Sequence, residues 1–335
     1  MKKNKKSPNE VSTLRVYAGI DGGGTKTDAA IISEHGDLLA SASGRATNPH
    51  SVPPQEAMAE LLRILDLLFS SRMELLSHCE SICLGMSGIA EDQERQWITA
   101  HVHDYMMKKK KAAGSTTACV VWVVTEGEIA LMAALGQPHG LLAISGTGSI
   151  VYGITPEGMV HRAGGWGHLL GDEGSGYRIG QRTLQAVMQS HDGILPPTAL
   201  TSLIQQELHV KHVTDLKQLV YQPGWTKSST ASMARLAIEA ASAGDEAART
   251  LLMDEARQLA NTALALIRQC VSFYTAPMAL SGSIFRYSSL FRDTFVQQLN
   301  DIYDSQQVVC LEDAPAPAVG AAQLARQKFR LAESG

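Results

Sequence analysis

One local pattern occurs twice in this chain, and it restricts the fold more than any other feature. An apolar run (Tyr17 to Ile20) enters the turn Asp21-Gly22-Gly23-Gly24-Thr25 and leaves through a second apolar run, Ala29 to Ile32. The same order recurs as Leu141 to Ile144, Ser145-Gly146-Thr147-Gly148-Ser149 and Ile150 to Ile154. In each copy a further turn falls on a glycine 11 residues past the threonine, Gly36 after Thr25 and Gly158 after Thr147. A strand, Gly-rich turn, strand unit repeated 122 residues apart predicts two similar lobes, each presenting one hairpin. Glycine permits the tight turn and leaves backbone N–H groups bare, so each hairpin suits an anion and the pair suits a polyphosphate.

The second copy opens the richest stretch, Leu141 to Tyr177, with ten glycines in 37 residues. Gly164-Gly165-Trp166-Gly167-His168 strips the backbone bare beside one large aromatic, a loop able to hug a small polar ligand. Asp172 and Glu173 lie between Gly171 and Gly174 just before a helical segment, so a carboxylate is held at a loop end. A lone SGTGS turn is equally well explained by strand reversal. The whole stretch, with polar residues at each turn, is not.

The rest of the chain supplies framework and a few candidates. Asn48, in the loop Gly44 to Pro54, can donate to and accept from a hydroxylated ligand, although turn preference beside Pro49 explains it equally well. Gln55 to Leu76 and Glu91 to Met107 read as helices, and Lys108 to Lys111 as a solvated loop. Cys119 to Val124 reads as a buried parallel strand, so Glu126 and Glu128 follow its carboxyl end, where α/β folds place ligands. Glu128 alternatively serves as a helix N-terminal charge. Met278 to Ile284 is a strand entering a turn at Gly282-Ser283, suited to phosphate or ribose, and Pro315 to Arg330 is a closing helix expected to return to the N-terminal lobe.

Composition narrows the classes. A formal charge of -4 gives no broad basic face for nucleic acid, and no stretch approaches the ~18 apolar residues of a membrane span. Five scattered cysteines, Cys79, Cys83, Cys119, Cys270 and Cys310, form no CxxC pair and read as reduced residues of a cytoplasmic protein.

The motifs GIDGGGTKT, GMSG, ISGTGS and GGWGHLLGDEGS, in this order, resemble the N-acetylglucosamine kinase branch of the BadF/BadG/BcrA/BcrD ATPase family, within the sugar kinase, Hsp70 and actin superfamily. The resemblance runs from about Arg15 to Ala325. It implies an α/β, two-lobed actin-like ATPase (ribonuclease H-like) fold, each lobe a mixed sheet flanked by helices, with the ligand cleft between them. The expected division is a disordered tail at 1–12, an N-terminal lobe at 13–125, a C-terminal lobe at 126–312 and the returning helix at 313–335.

The implied activity is ATP-dependent phosphorylation of an amino sugar, foremost N-acetylglucosamine at its 6-hydroxyl. The alternatives are glucosamine or N-acetylmuramate as acceptor, an activator ATPase of the BadF type and a non-catalytic sugar sensor. Gly23, Gly24, Thr25, Lys26, Gly146, Thr147 and Gly148 are expected on the phosphates, with Ala240, Gly282 and Ser283 on the adenosine side of ATP. Asp21 is expected to hold Mg²⁺ through water, since that ion suits one carboxylate with waters and phosphate oxygens. Asn48, Gly165, Trp166, Gly167 and Asp172 would orient the sugar. The family usually has Asn-Asp where this chain has Thr125-Glu126, so Glu126 is the expected base, one methylene longer than the family's Asp. Glycines at Gly85 to Gly88 and Gly164 to Gly167 give backbone freedom compatible with lobe closure. No nucleic-acid or membrane partner is expected, and a homodimer is compatible with the sequence.

Overall fold

The computed structural model describes residues 14–70, 72–87, 91–300, 302–304, 307–310 and 315–334. The expected tail at 1–12, Gly88 and Leu311 lie outside the described residues. The chain divides into two compact units, 1–137 with 315–335, and 138–314.

Unit 1 begins with β1 (Val16–Gly22), β2 (Lys26–Ser33) and β3 (Leu38–Arg45), an antiparallel meander. Then follow α1 (Pro54–Ser70), α2 (Met73–Ser77), β4 (Cys79–Met86), α3 (Asp92–Ala112), β5 (Val120–Thr125) and α4 (Glu126–Leu135). The strand order is β3-β2-β1-β4-β5, with β1, β4 and β5 parallel. Asp21 pairs with Gly85 and Met86 with Thr125, so the carboxyl ends of the three parallel strands finish level.

Unit 2 repeats this plan. Strands β6 (Gly140–Ser145), β7 (Ser149–Ile154) and β8 (Val160–Gly164) form the meander. A helical block follows: α5 (Gly176–His191), α6 (Leu200–Leu208), α7 (Asp215–Val220), α8 (Lys227–Ser232), α9 (Ala234–Ser242) and α10 (Glu246–Ile267). Strand β9 (Met278–Ser281), α11 (Ser283–Tyr287), α12 (Ser289–Leu299) and β10 (Val308–Cys310) complete it. The order β10-β9-β6-β7-β8, with β6, β9 and β10 parallel, is that of unit 1 with β6 in the place of β1. The repeat seen in the sequence is thus a repeat of topology. Each unit is a mixed sheet flanked by helices.

The last helix, α13 (Pro317–Ser334), belongs to unit 1. Strand β1 sends Val16, Ala18 and Ile20 toward α1 and α3 and Tyr17 toward α4 and α13, the two-residue alternation of a strand covered on both faces. Close approach explains Gly19: a Cβ there would lie 2.1 Å from the Ala322 amide nitrogen and 2.2 Å from the Ala318 carbonyl oxygen of α13. Gly320 of α13 meets α4 in the same way, 2.2 Å from the Ile129 carbonyl oxygen. Helix α4 therefore packs within unit 1, and the expected boundary after Thr125 lies inside that unit, whose first segment runs to Gln137.

Two local expectations are corrected. Lys108 to Lys111 is the end of α3 and not a loop, because Lys110 is buried with its Nζ donating to the Cys79 carbonyl at 2.7 Å, while Lys109 pairs with Asp66. Gly85 lies within β4 as a packing glycine: a Cβ would fall 2.2 Å from Cδ1 of Ile129. Among the described residues, no helix is long and apolar enough to cross a membrane.

Candidate active site

In unit 1 the first Gly-rich hairpin, the Asn48 loop and the carboxyl end of β4 form one hydrogen-bonded group. The Gly23 carbonyl accepts from the amides of Thr47 and Asn48, and the Gly22 carbonyl accepts from the Ser87 amide at 3.0 Å. Gly22 is required by space, since a Cβ would meet Sδ of Met86 at 2.5 Å and Oγ1 of Thr47 at 2.8 Å. The Asn48 carboxamide is divided between two duties. Its Oδ1 accepts from the His50 amide at 2.8 Å and fixes the turn, while its Nδ2 reaches Ser87 Oγ only at 3.5 Å and lies toward Gly24. The turn-forming and ligand-facing explanations of Asn48 therefore apply to different atoms of one side chain. Thr25 and Lys26 are exposed at the hairpin tip, with Lys26 Nζ donating to Asp28 at 2.7 Å.

Asp21 stands at the end of β1, half-buried, directly across the ladder from Asp28. Burial, then the negative charges of Asp28 and Glu126, push its pKa up to about 6, with Lys26 opposing. Asp28 is held below the usual carboxylate range by hydrogen bonds from Lys26 and Ser43, so the charge that Asp21 faces persists. Excess negative charge around a carboxylate at a strand end favours a bound cation. No group of three or more metal-ligating side chains occurs among the described residues. The donor set fits Mg²⁺, which commonly takes one or two protein carboxylates and draws its remaining ligands from water and phosphate.

Glu126 is the first residue of α4, and its side chain is exposed. Glu128 is occupied: its Oε2 accepts from the Thr125 amide at 2.8 Å and hydroxyl at 3.0 Å, while Thr125 Oγ1 accepts from the Glu128 amide, a complete capping box. Of the two carboxylates after β5, Glu126 is the one that no cap holds.

In unit 2 the second hairpin is clamped from below. Gly146 and Thr147 carbonyls accept from the amides of Gly176 and Tyr177 at the start of α5, and Ser145 and Ser149 hydroxyls donate to the carbonyls of Gly174 and Glu173. Gly282, at φ +105°, abuts the hairpin so closely that a Cβ would sit 2.2 Å from the Ser145 carbonyl oxygen. The strand-end turn Gly282-Ser283 is thereby joined to Gly146, Thr147 and Gly148. It opens on a cavity of about 300 Å³ whose lining includes Arg286 and the exposed Tyr287 ring.

Asp172 takes a left-handed conformation at φ 62°, uncommon for a residue with a side chain, and its carboxylate is buried to 4% exposure. Lys227 Nζ donates to its Oδ2 at 3.0 Å, and both groups sit under Gly148, whose Cβ would be 2.9 Å from that oxygen and 3.3 Å from the ammonium. Lys227 was not identified from the sequence. It lies 55 residues from Asp172 in an Ala- and Ser-rich segment without motif.

The loop Gly164 to Gly167 has positive φ at Gly164, Gly165 and Gly167, and a Cβ on Gly165 would strike Ile150 at 2.4 Å. Trp166 is 65% exposed, with the Arg162 guanidinium 4.6 Å over its ring. Ala240 stands apart from these groups. It is 1% exposed in the core of unit 2, and its carbonyl accepts from the amides of Ala243 and Asp245 at the end of α9.

The chain is similar to known proteins over nearly its whole length. The chain is 30% identical over 319 residues to an N-acetylmuramic acid/N-acetylglucosamine kinase of Clostridium acetobutylicum, covering 94% of this chain and 99% of the relative. It is 29% identical to an N-acetyl-D-glucosamine kinase of Dictyostelium discoideum, covering 92% and 97%. A solved structure from Chromobacterium violaceum, described as a candidate N-acetylglucosamine kinase, superposes with a TM-score of 0.59 at 27% identity, covering 93% of this chain and 99% of that one. The fold is that of the actin-like ATPases. The model of the BadF/BadG/BcrA/BcrD ATPase family matches residues 18–325, and the chain belongs to that family.

Proposed function

We propose that this protein is an ATP-dependent amino-sugar kinase that phosphorylates N-acetylglucosamine at its 6-hydroxyl. The observation that carries the reading most directly is the free Glu126 carboxylate beside the spent Glu128, at the level carboxyl ends of β1, β4 and β5. Similarity to kinases of N-acetylglucosamine over nearly the whole chain supports the substrate.

The reaction transfers the γ-phosphoryl group. The sugar oxygen bonds to the γ-phosphorus, the bond to the β-phosphate bridging oxygen breaks, ADP leaves with that electron pair, and the hydroxyl proton passes to a base. Glu126 is that base, an exposed carboxylate at the N-terminus of α4. Asn48 Nδ2, the Trp166 face, the bare backbone of Gly165 and Gly167, and Asp172 orient the sugar. The backbone N–H groups around Gly23, Gly24, Thr25, Lys26, Gly146, Thr147 and Gly148 receive phosphate oxygens. Lys227 adds a positive charge beside Gly148, and Gly282 and Ser283 with Arg286 and Tyr287 receive the adenosine. Ala240, enclosed in the core of unit 2, has no part in this reading. Asp21 would hold Mg²⁺, which would supply charge neutralisation on the phosphates.

The reading takes in a cytoplasmic location, supported by five free thiols, and a homodimer, checked by light scattering. The deciding experiment is ATP consumption by the purified protein with N-acetylglucosamine, glucosamine and N-acetylmuramate. Turnover with none of them rejects the reading, and turnover with glucosamine alone moves the assignment to that sugar.

A further inference from the structure

A buried carboxylate of α10 holds the turn on which the second Gly-rich hairpin rests. Glu255 Oε2 accepts from the Gly174 amide at 2.7 Å, across 81 positions of the chain. The Gly174 carbonyl in turn accepts from the Ser145 hydroxyl at 2.6 Å, and the neighbouring Glu173 carbonyl accepts from the Ser149 hydroxyl at 2.7 Å. One side chain therefore stands behind both hydroxyls that flank Gly146, Thr147 and Gly148. Gly174 is at φ +77°, and a Cβ on it would lie 2.6 Å from Cβ of Leu259 and 2.9 Å from the Glu255 carbonyl oxygen, so the turn is seated directly on α10. Arg182 of α5 steadies the carboxylate: its Nη1 donates to Glu255 Oε1 at 3.3 Å and its Nη2 to Asp254 at 3.0 Å. Replacing a buried ion pair by apolar side chains is often neutral or stabilising, so packing alone does not require a glutamate here. What a carboxylate can do, and an apolar group cannot, is fix a backbone amide in distance and direction.

We propose that Glu255 is a positioning residue for nucleotide binding: through Gly174 it sets the height of the Ser145 to Ser149 turn, and with it the backbone N–H groups that receive phosphate oxygens. The proposal rests on the amino-sugar kinase reading, in which that turn lies on the phosphates. Buried to 3% exposure, Glu255 acts through the turn and not by contact with a ligand. Its leverage comes from the directness of the chain, since two hydrogen bonds in series join it to Ser145. A displacement of ~1 Å in a group that positions a reacting substrate can cost ~10²-fold in rate, so a small sag of the hairpin is enough to be measured.

The test compares Glu255→Ala, Glu255→Gln and Arg182→Lys with the wild-type full chain. Calorimetry follows the binding of a non-hydrolysable ATP analogue with Mg²⁺, steady-state kinetics gives KM for ATP and kcat with N-acetylglucosamine, and thermal melting reports the fold. Glu255→Ala should weaken analogue binding and raise KM for ATP by ~10-fold or more. Glu255→Gln keeps an acceptor for the Gly174 amide and should recover most of that loss, to within ~3-fold of wild type. Arg182→Lys keeps the charge but loses the two-pronged hold on Glu255 and Asp254, and a similar ~3-fold weakening is expected. These two milder variants carry the test if the Ala variant does not fold. A merely structural role lowers the melting temperature and the amount of folded enzyme, hence the apparent kcat, but leaves KM for ATP and analogue affinity unchanged. That outcome in the variants that fold overturns the positioning role and leaves the kinase reading standing. Wild-type protein that binds the analogue but phosphorylates no amino sugar rejects the kinase reading, while analogue affinities falling in the expected order uphold Glu255. Absence of analogue binding and of turnover in the wild type rejects both.

Discussion

Lys227 donates to Asp172 at 3.0 Å beneath Gly148, so that a buried carboxylate in a left-handed turn and an ammonium from a distant helix meet under the second Gly-rich hairpin. The pair fixes the turn to α8, and it holds a positive charge at the place proposed for phosphate oxygens.

Lys227→Ala should therefore act on catalysis and on stability together. Loss of an aimed positive charge is expected to lower kcat/KM by ~10²-fold, mostly through ATP, while the unpaired Asp172 costs about 1–3 kcal/mol in a pair that is only partly solvent-screened. Lys227→Arg should recover much of the ATP response. Steady-state kinetics with thermal denaturation separates the two effects, and normal ATP kinetics in the Ala variant would restrict Lys227 to a structural tie.

Asp21 gives a pH signature. Its folded pKa, about 6, lies above the ordinary 3.8, so the folded state holds this proton more tightly than the unfolded chain. Its contribution to stability is complete below pH ~4 and is lost as the pH rises through ~6. Asp21→Asn should remove that loss and raise stability above pH 6 by about 1–2 kcal/mol after allowance for screening at a half-exposed site. The same change should lower kcat by ~10²-fold at saturating Mg²⁺. In the wild type, more Mg²⁺ should be required as the pH falls below 6. Melting curves from pH 4 to 8 that coincide for both proteins would refute the assigned shift.

Glu126 and Glu128, two residues apart, should separate cleanly. Glu126→Gln is expected to keep the fold and sugar binding while removing most phosphoryl transfer, and Glu126→Asp to slow it ~10-fold by withdrawing the carboxylate one bond. Glu128→Ala should instead lose about 1 kcal/mol from the open capping box. Rates and chemical denaturation on the three variants check this. Full turnover by the Gln variant would remove Glu126 as the base.

Gly19→Val tests the return of α13 to unit 1. The added side chain would enter the space of the Ala318 and Ala322 backbone, and rigid helix backbone cannot yield as a flexible side chain does. A loss of about 3 kcal/mol or more is expected by denaturant titration. Near-native stability would mean that α13 is not held against β1 as described.

The sequence by itself determined the repeated hairpin, the elements around it and the positions of most candidate residues, because glycine turns and apolar runs are encoded locally. Asp21, Asn48, the SGTGS turn and the Gly164–Gly167 loop were legible for that reason, as was the return of the closing helix. Only the tertiary structure decided which atoms remain available. Asn48 lends its oxygen to a turn, Glu128 is consumed by a cap, Ala240 is enclosed in a core, and Lys110 ends inside the protein on a strand carbonyl. Lys227 illustrates the limit most clearly, since its segment carries no motif and its partner is 55 residues away. Hydrogen bonding and burial are properties of neighbours in space, and neighbours so far apart along the chain leave no local pattern from which to read them.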